Sequence, residues 1–294
     1  MSNSALIGYQ NCLNWYVSDI CVEKSLIIGK DYSGIISAMA FNNGTVKNII
    51  IQQNNIQAYS DWHSYSGCMF GYIFSSNKQY TNIIVLNAKL ENNTILSLCT
   101  TNITSYDTHT GVIVSEQARN TSLQILDTTI DSCYQVANQS CRKAFTGGYI
   151  GLTYGQVNIE NSTVQTLSLF AFASDISLTG SIFAMIYSNQ SQTIKNSNIK
   201  NITITSNSQN YSYAGGVVAQ ISQTLQIIMS NIIIESITLQ SYGLITLENI
   251  IFYVNDNISL AYQLNNSYSK GQNIINTIPI NNCLLINIKA QDGC

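Results

Sequence analysis

Two short marks recur along this chain and keep step with each other, which restricts it to a repeat architecture. The first is a glycine preceded by a small residue and, one further back, an aromatic or apolar one. It occurs at Gly34, Gly67, Gly111, Gly147, Gly180 and Gly215, with a weaker copy at Gly243, and the gaps are 33, 44, 36, 33, 35 and 28 residues. The second is apolar-x-Asn-x-x-apolar, centred on Asn48, Asn82, Asn161, Asn196, Asn231 and Asn282, with further copies at Asn92 and Asn249. Asn161, Asn196 and Asn231 are spaced by 35 residues each. The asparagines follow their glycines by 14 to 16 residues in five repeats, and two marks at a fixed offset are not produced by abundant asparagine alone. The third repeat departs from the pattern, with LDTTI at Leu126–Ile130 where the asparagine is missing. The 44-residue gap predicts an inserted loop around Leu98–Thr108.

Between the marks the chain reads as strands. Runs such as GIISAMAF, NIIVLNA, ITITS and GGVVAQI are β-branched and aromatic, with Asn, Ser and Gly at their ends. Helical spacing is nowhere sustained. Pro279 is the single proline, and stacked strands paired along their length have little room for a residue without an N–H. The expected fold is all-β, one parallel β-solenoid of about seven coils of roughly 33–36 residues. Residues 1–30 are expected to form an N-terminal cap, 31–285 the repeats and 286–294 a truncated C-terminal tail. Coils stack about 4.8 Å apart. Equivalent asparagines would then pass amide hydrogen bonds from coil to coil as an asparagine ladder, and an Asn in such a ladder is expected to be inaccessible. Ile50, Ile84, Val164, Ile199 and Ile233 are expected to point inward as aliphatic columns.

Gly147-Gly148-Tyr149-Ile150-Gly151 running into IENSTV, together with Gly67-Cys68-Met69-Phe70-Gly71, resembles the GLUG-type repeat of surface proteins. The asparagine mark is similar, more broadly, to right-handed β-helices of the pectin-lyase-like kind. The resemblance runs from about Gly34 to Leu285. The first likeness implies an extracellular adhesin-like or stalk role, and the second implies carbohydrate chemistry.

Charge limits the function further. Only 9% of residues are charged and the net charge is −3, with cations scattered, so there is no stripe that could displace counterions from nucleic acid. Solubility must come from neutral polar side chains, the look of a secreted or cell-surface β-protein. The first ten residues lack a basic and apolar leader, so a cytosolic protein, a mature segment or a fragment is expected. The apolar stretch Leu167–Tyr187 is interrupted by Asp175 and Gly180 and reads as buried strands rather than a membrane span. Eight cysteines include three close pairs, Cys12/Cys21, Cys133/Cys141 and Cys283/Cys294, with Cys68 and Cys99 left over. Disulfides in an oxidising compartment are one reading and buried thiols the other. No spacing suits zinc, and no cofactor is expected. The Asn-x-Ser/Thr sequence recurs, and Asn138 and Asn210 lie in turn-like stretches suited to glycan attachment.

Two functions follow. One is a non-enzymatic secreted or cell-surface solenoid, an adhesin-like binder or spacer with a protein or glycan ligand. The other is a carbohydrate-active enzyme in which Glu91, Asp127 and Glu160 share a column as an acid/base or calcium-binding set. His63 and His109, just ahead of the glycine marks, are expected in loops.

Overall fold

The computed structural model describes residues 3–6, 14–75, 80–99, 107–138, 142–223 and 226–243, and short strands beyond 244. Among the described residues there is no helix; every strand pairing is parallel, and the strands fall in sheets of eight, seven and twenty. The chain is a parallel β-solenoid of about six turns, one fewer than the marks suggest. The extra mark, Gly243, is off the glycine column: the backbone partner of Gly215 in the next turn is Asn249. Within residues 14–30, Asn14–Ser18, Cys21–Glu23 and Leu26–Gly29 pair with the following turn.

Each turn bends at two left-handed corners. Asp19, Asn48, Asn87, Asp127, Asn161, Asn196 and Asn231 have φ between 48° and 58° and form one corner column. Lys24, Gln53, Asn92, Ser132, Thr166, Asn201 and Ser236 form the second, at 51° to 56°. Asn and Asp enter this conformation at the lowest cost after glycine, which is why they dominate the first column. Their side chains join neighbouring turns. Asn48 Nδ2 donates to Asp19 Oδ1 (3.0 Å), Asn87 to Asn48 (2.9 Å), Asn196 to Asn161 (3.2 Å) and Asn231 to Asn196 (2.8 Å).

The column is exposed, Asn161 included, which corrects the expectation of an inaccessible position. It also replaces Asn82 with Asn87. Asn82 lies within the straight part of Thr81–Glu91, where its N–H donates to Asn43 Oδ1 at 3.0 Å. The second turn is 39 residues long at this corner, so a 34-residue step lands on the wrong asparagine. Asn282 lies outside the described residues. A second pair is interior: Asn54 and Asn93 are buried, with Asn54 Nδ2 donating to Val22 O and Asn93 Oδ1 and Asn93 Nδ2 to Ile51 O.

A left-handed residue inverts strand parity, so positions two before and three after the corner both point inward. Ile51, Leu90, Ile130, Val164, Ile199 and Ile234 form such a column, each at most 5% exposed. Val164 and Ile199 are in it as expected. Ile50 and Ile233 sit one residue off it, facing outward, with Ile50 39% exposed, and Ile84 faces outward on the preceding straight segment. The interior forms one long cluster running from Trp15 to Leu239. The expected insertion falls on residues 100–106, outside the described residues. The stretch Leu167–Tyr187 contains three strands, Ser168–Ala173, Ile176–Gly180 and Phe183–Tyr187. Among the described residues no helix is long and apolar enough to cross a membrane.

Among the described residues Cys21, Cys68 and Cys133 are free thiols. Cys133 faces the interior, in register with Asn93 and Leu167, which turns its Sγ away from the surface. Burial pushes this thiol up to about 12. Cys12, Cys141, Cys283 and Cys294 lie outside the described residues.

Candidate functional site

The carboxylates expected to share a column do not. Glu160 is in register with Leu126 and Lys195. Asp127 is a corner residue with φ 51°. Glu91 stacks with Gln52 and Asp131, and Lys89 holds it at 2.8 Å. The similar-looking LEN, LDT and IEN triplets belong to different places in the turn: Asn92 marks the second corner, whereas Asp127 and Asn161 mark the first. Beside Glu91, burial works upward on Asp131, but hydrogen bonds from Gln165, Ser132 and Thr166 outweigh it and hold the carboxyl below its ordinary value. Among the described residues no three His, Cys, Asp or Glu side chains converge as metal ligands would.

The glycine column lies elsewhere and does build a site. Gly67, Gly111, Gly147, Gly180 and Gly215 are in register, with Gly34 continuing the column below them. A Cβ at Gly147 would lie 1.8 Å from Ile150 O, and at Gly111 2.0 Å from Val114 O. Only glycine permits the chain to fold back this sharply, from the eight-stranded sheet into the seven-stranded one. The residue before each glycine is small and faces inward. Ser66, Thr146 and Thr179 donate their hydroxyls to Leu96 O, Phe170 O and Thr205 O of the largest sheet, clamping the eight-stranded sheet in place.

The residue two before each glycine faces out of that sheet. These residues form one column in register: Tyr32, Tyr65, His109, Phe145, Leu178 and Tyr213. The residue five after each glycine forms a second column on the next sheet: Met39, Tyr72, Glu116, Leu152, Met185 and Gln220. The fold-back at glycine turns the two columns toward each other as the walls of a cleft, which their own side chains fill at the buried Tyr65, His109, Glu116, Phe145, Leu152, Leu178 and Tyr213 and leave partly open at Tyr32, Met39, Tyr72, Met185 and Gln220. Tyr32 and Tyr65 stack at 5.0 Å, and Tyr72 lies 5.7 Å and 6.2 Å from them across the cleft. Further along, Met185 packs against Phe145, Leu178 and Tyr213.

His109 and Glu116 meet at the centre. Nδ1 and Oε2 are 2.9 Å apart, the separation of an ion pair once the ring is protonated. Neither ring nitrogen makes an aligned hydrogen bond among the described residues. The imidazole is only 2% exposed, edge-on to Tyr65 at 4.7 Å and Phe145 at 4.6 Å. His109 is thus a strand residue of Asp107–Gly111 and not the loop residue expected, whereas His63 is outside the strands, its Nδ1 accepting from Asp107 N at 3.4 Å. Glu116 is ringed by phenols. Burial, and after it the Glu116 charge, push Tyr32 and Tyr154 up to about 12 and act upward on Tyr65 and Tyr72. An imidazole enclosed by rings cannot reach a bound molecule, and of the phenols around Glu116 Tyr65 is buried while Tyr32, Tyr72 and Tyr154 are partly exposed.

No family model, curated protein or solved structure matches this chain.

Proposed function

We propose that this chain is a non-enzymatic, adhesin-like solenoid of the cell surface or extracellular space that holds its ligand in the aromatic cleft. The observation that carries the reading is the partly exposed rim of the facing columns, Tyr32, Met39, Tyr72, Met185 and Gln220, which four of the six turns contribute. Contacts spread over separate turns suit an extended ligand better than a compact substrate. The enclosed His109 and the dispersal of Glu91, Asp127 and Glu160 favour binding over catalysis. Low charge and exposed Asn, Ser and Thr support an extracellular home, as do exposed Asn-x-Ser/Thr sequences at Asn43 and Asn210. The free thiols of Cys21 and Cys133 withdraw disulfides from that argument.

The test is retention of the purified chain on immobilised extracellular polymers, both glycan and protein, beside a Tyr32→Ala/Tyr72→Ala variant of unchanged circular dichroism. Retention that the variant loses supports the reading. Retention that the variant keeps, or none on any polymer, contradicts it.

A further inference from the structure

Beyond the cleft, the seven-stranded sheet carries a second outward column. Phe74, Ala118 and Tyr154 donate their N–H groups to Ala40, Ile73 and Gln117 one turn below, which stacks Phe41, Phe74, Ala118 and Tyr154. Where this column reaches Tyr187, the surface hollows into a pocket of about 150 Å3 lined by Arg119, Asn120, Tyr154, Tyr187, Asn189 and Gln190. We propose that this pocket binds a sugar unit, as the specificity subsite of a glycan lying along the sheet. The inference rests on the reading of the chain as a binding protein.

Three observations carry it. First, Tyr154 and Tyr187 are 5.5 Å apart at 60°. Rings at that angle cannot sandwich a flat aromatic ligand, and they give a mainly polar pocket a small apolar edge that a sugar ring can touch. Second, the other four lining residues are one guanidinium and three amides, which offer many donors and several acceptors and suit a ring of hydroxyls. Third, the one charge in the lining is Arg119, whose guanidinium lies 6.0 Å above the Tyr154 ring and has no carboxylate within ion-pair distance among the described residues, so its planar fork can donate to sugar oxygens.

The experiment titrates bacterially produced protein, which leaves the Asn-x-Ser/Thr asparagines Asn120 and Asn189 bare, with neutral hexose and N-acetylhexosamine oligosaccharides and with uronate oligosaccharides of equal length. The expected result is binding of at least one series, weakened at least tenfold by Tyr187→Ala. Tyr134→Ala, an exposed aromatic on another sheet, leaves it unchanged. Arg119→Lys keeps the charge, loses the planar fork and weakens binding severalfold. An unaffected Tyr187→Ala variant, or no binding of any oligosaccharide, overturns the inference. Binding lost in Tyr32→Ala/Tyr72→Ala but kept in Tyr187→Ala overturns the pocket alone. The reverse pattern upholds the pocket and overturns the cleft.

Discussion

At the scale of single residues, the corner conformation decides which side chains are inside. Asn196 at φ 48° separates Ile194 from Ile199, and both are fully buried although five positions apart, which no uninterrupted strand allows. Ile199→Ala therefore leaves a cavity and should cost about 2–5 kcal/mol. Ile233→Ala, one residue off the inward column, should cost less than about 1 kcal/mol. Urea unfolding of the two variants checks the register, and equal costs would contradict it. The phenols around Glu116 give a second check. Tyr32 and Tyr154 are pushed up to about 12 in the folded chain, against about 10 when unfolded. Their contribution to stability is complete below pH 10 and is lost as pH rises through about 12. Phenolate absorbance should thus show a late-titrating class that moves to about pH 10 in denaturant. A single class near 10 in the folded protein would mean that these rings are not buried beside Glu116.

At the scale of the turn, the glycine fold-back is the element on which the cleft depends. A methyl group at Gly147 would lie 1.8 Å from a backbone oxygen that no rotamer can move. Gly147→Ala should cost about 1–3 kcal/mol, the range for forcing extra atoms into a packed interior. Gly243→Ala should cost less, since its nearest heavy atom is 3.1 Å away. Thermal unfolding separates the two.

The glycine marks were legible in the sequence together with most of the cleft. The aromatic two before each glycine is the first wall, and a fixed step of five after it gives Met39, Tyr72, Glu116, Leu152, Met185 and Gln220. Reading that aromatic as part of a turn signal hid its role. It also put His109 in a loop, because sequence alone does not show a second sheet folded back to enclose it. The asparagine mark was legible at Asn48, Asn161, Asn196 and Asn231. It misled at Asn82, where turn length changes to 39 residues, and at Asp127, where the corner is kept by a different side chain. The triplets around Glu91 and Glu160 look alike because both corners of a turn demand the same chemistry. Only the register tells them apart.

At the scale of the whole molecule, every column described here follows from one operation, the addition of a turn directly above the last. Thr45, Ile84, Gln124, Asn158, Thr193 and Ile228 face outward in such a column, each partly exposed. The most direct test is a series of spin-label distances from Thr45 to Asn158, Thr193 and Ile228. Labels introduced as unnatural amino acids leave the eight native cysteines untouched. The solenoid predicts narrow distributions near roughly 14, 19 and 24 Å, rising by about 4.8 Å per turn. Distances that fail to increase in that order, or a Thr45–Ile228 separation shorter than Thr45–Asn158, would contradict the stacking on which the corners, the core and the cleft all depend.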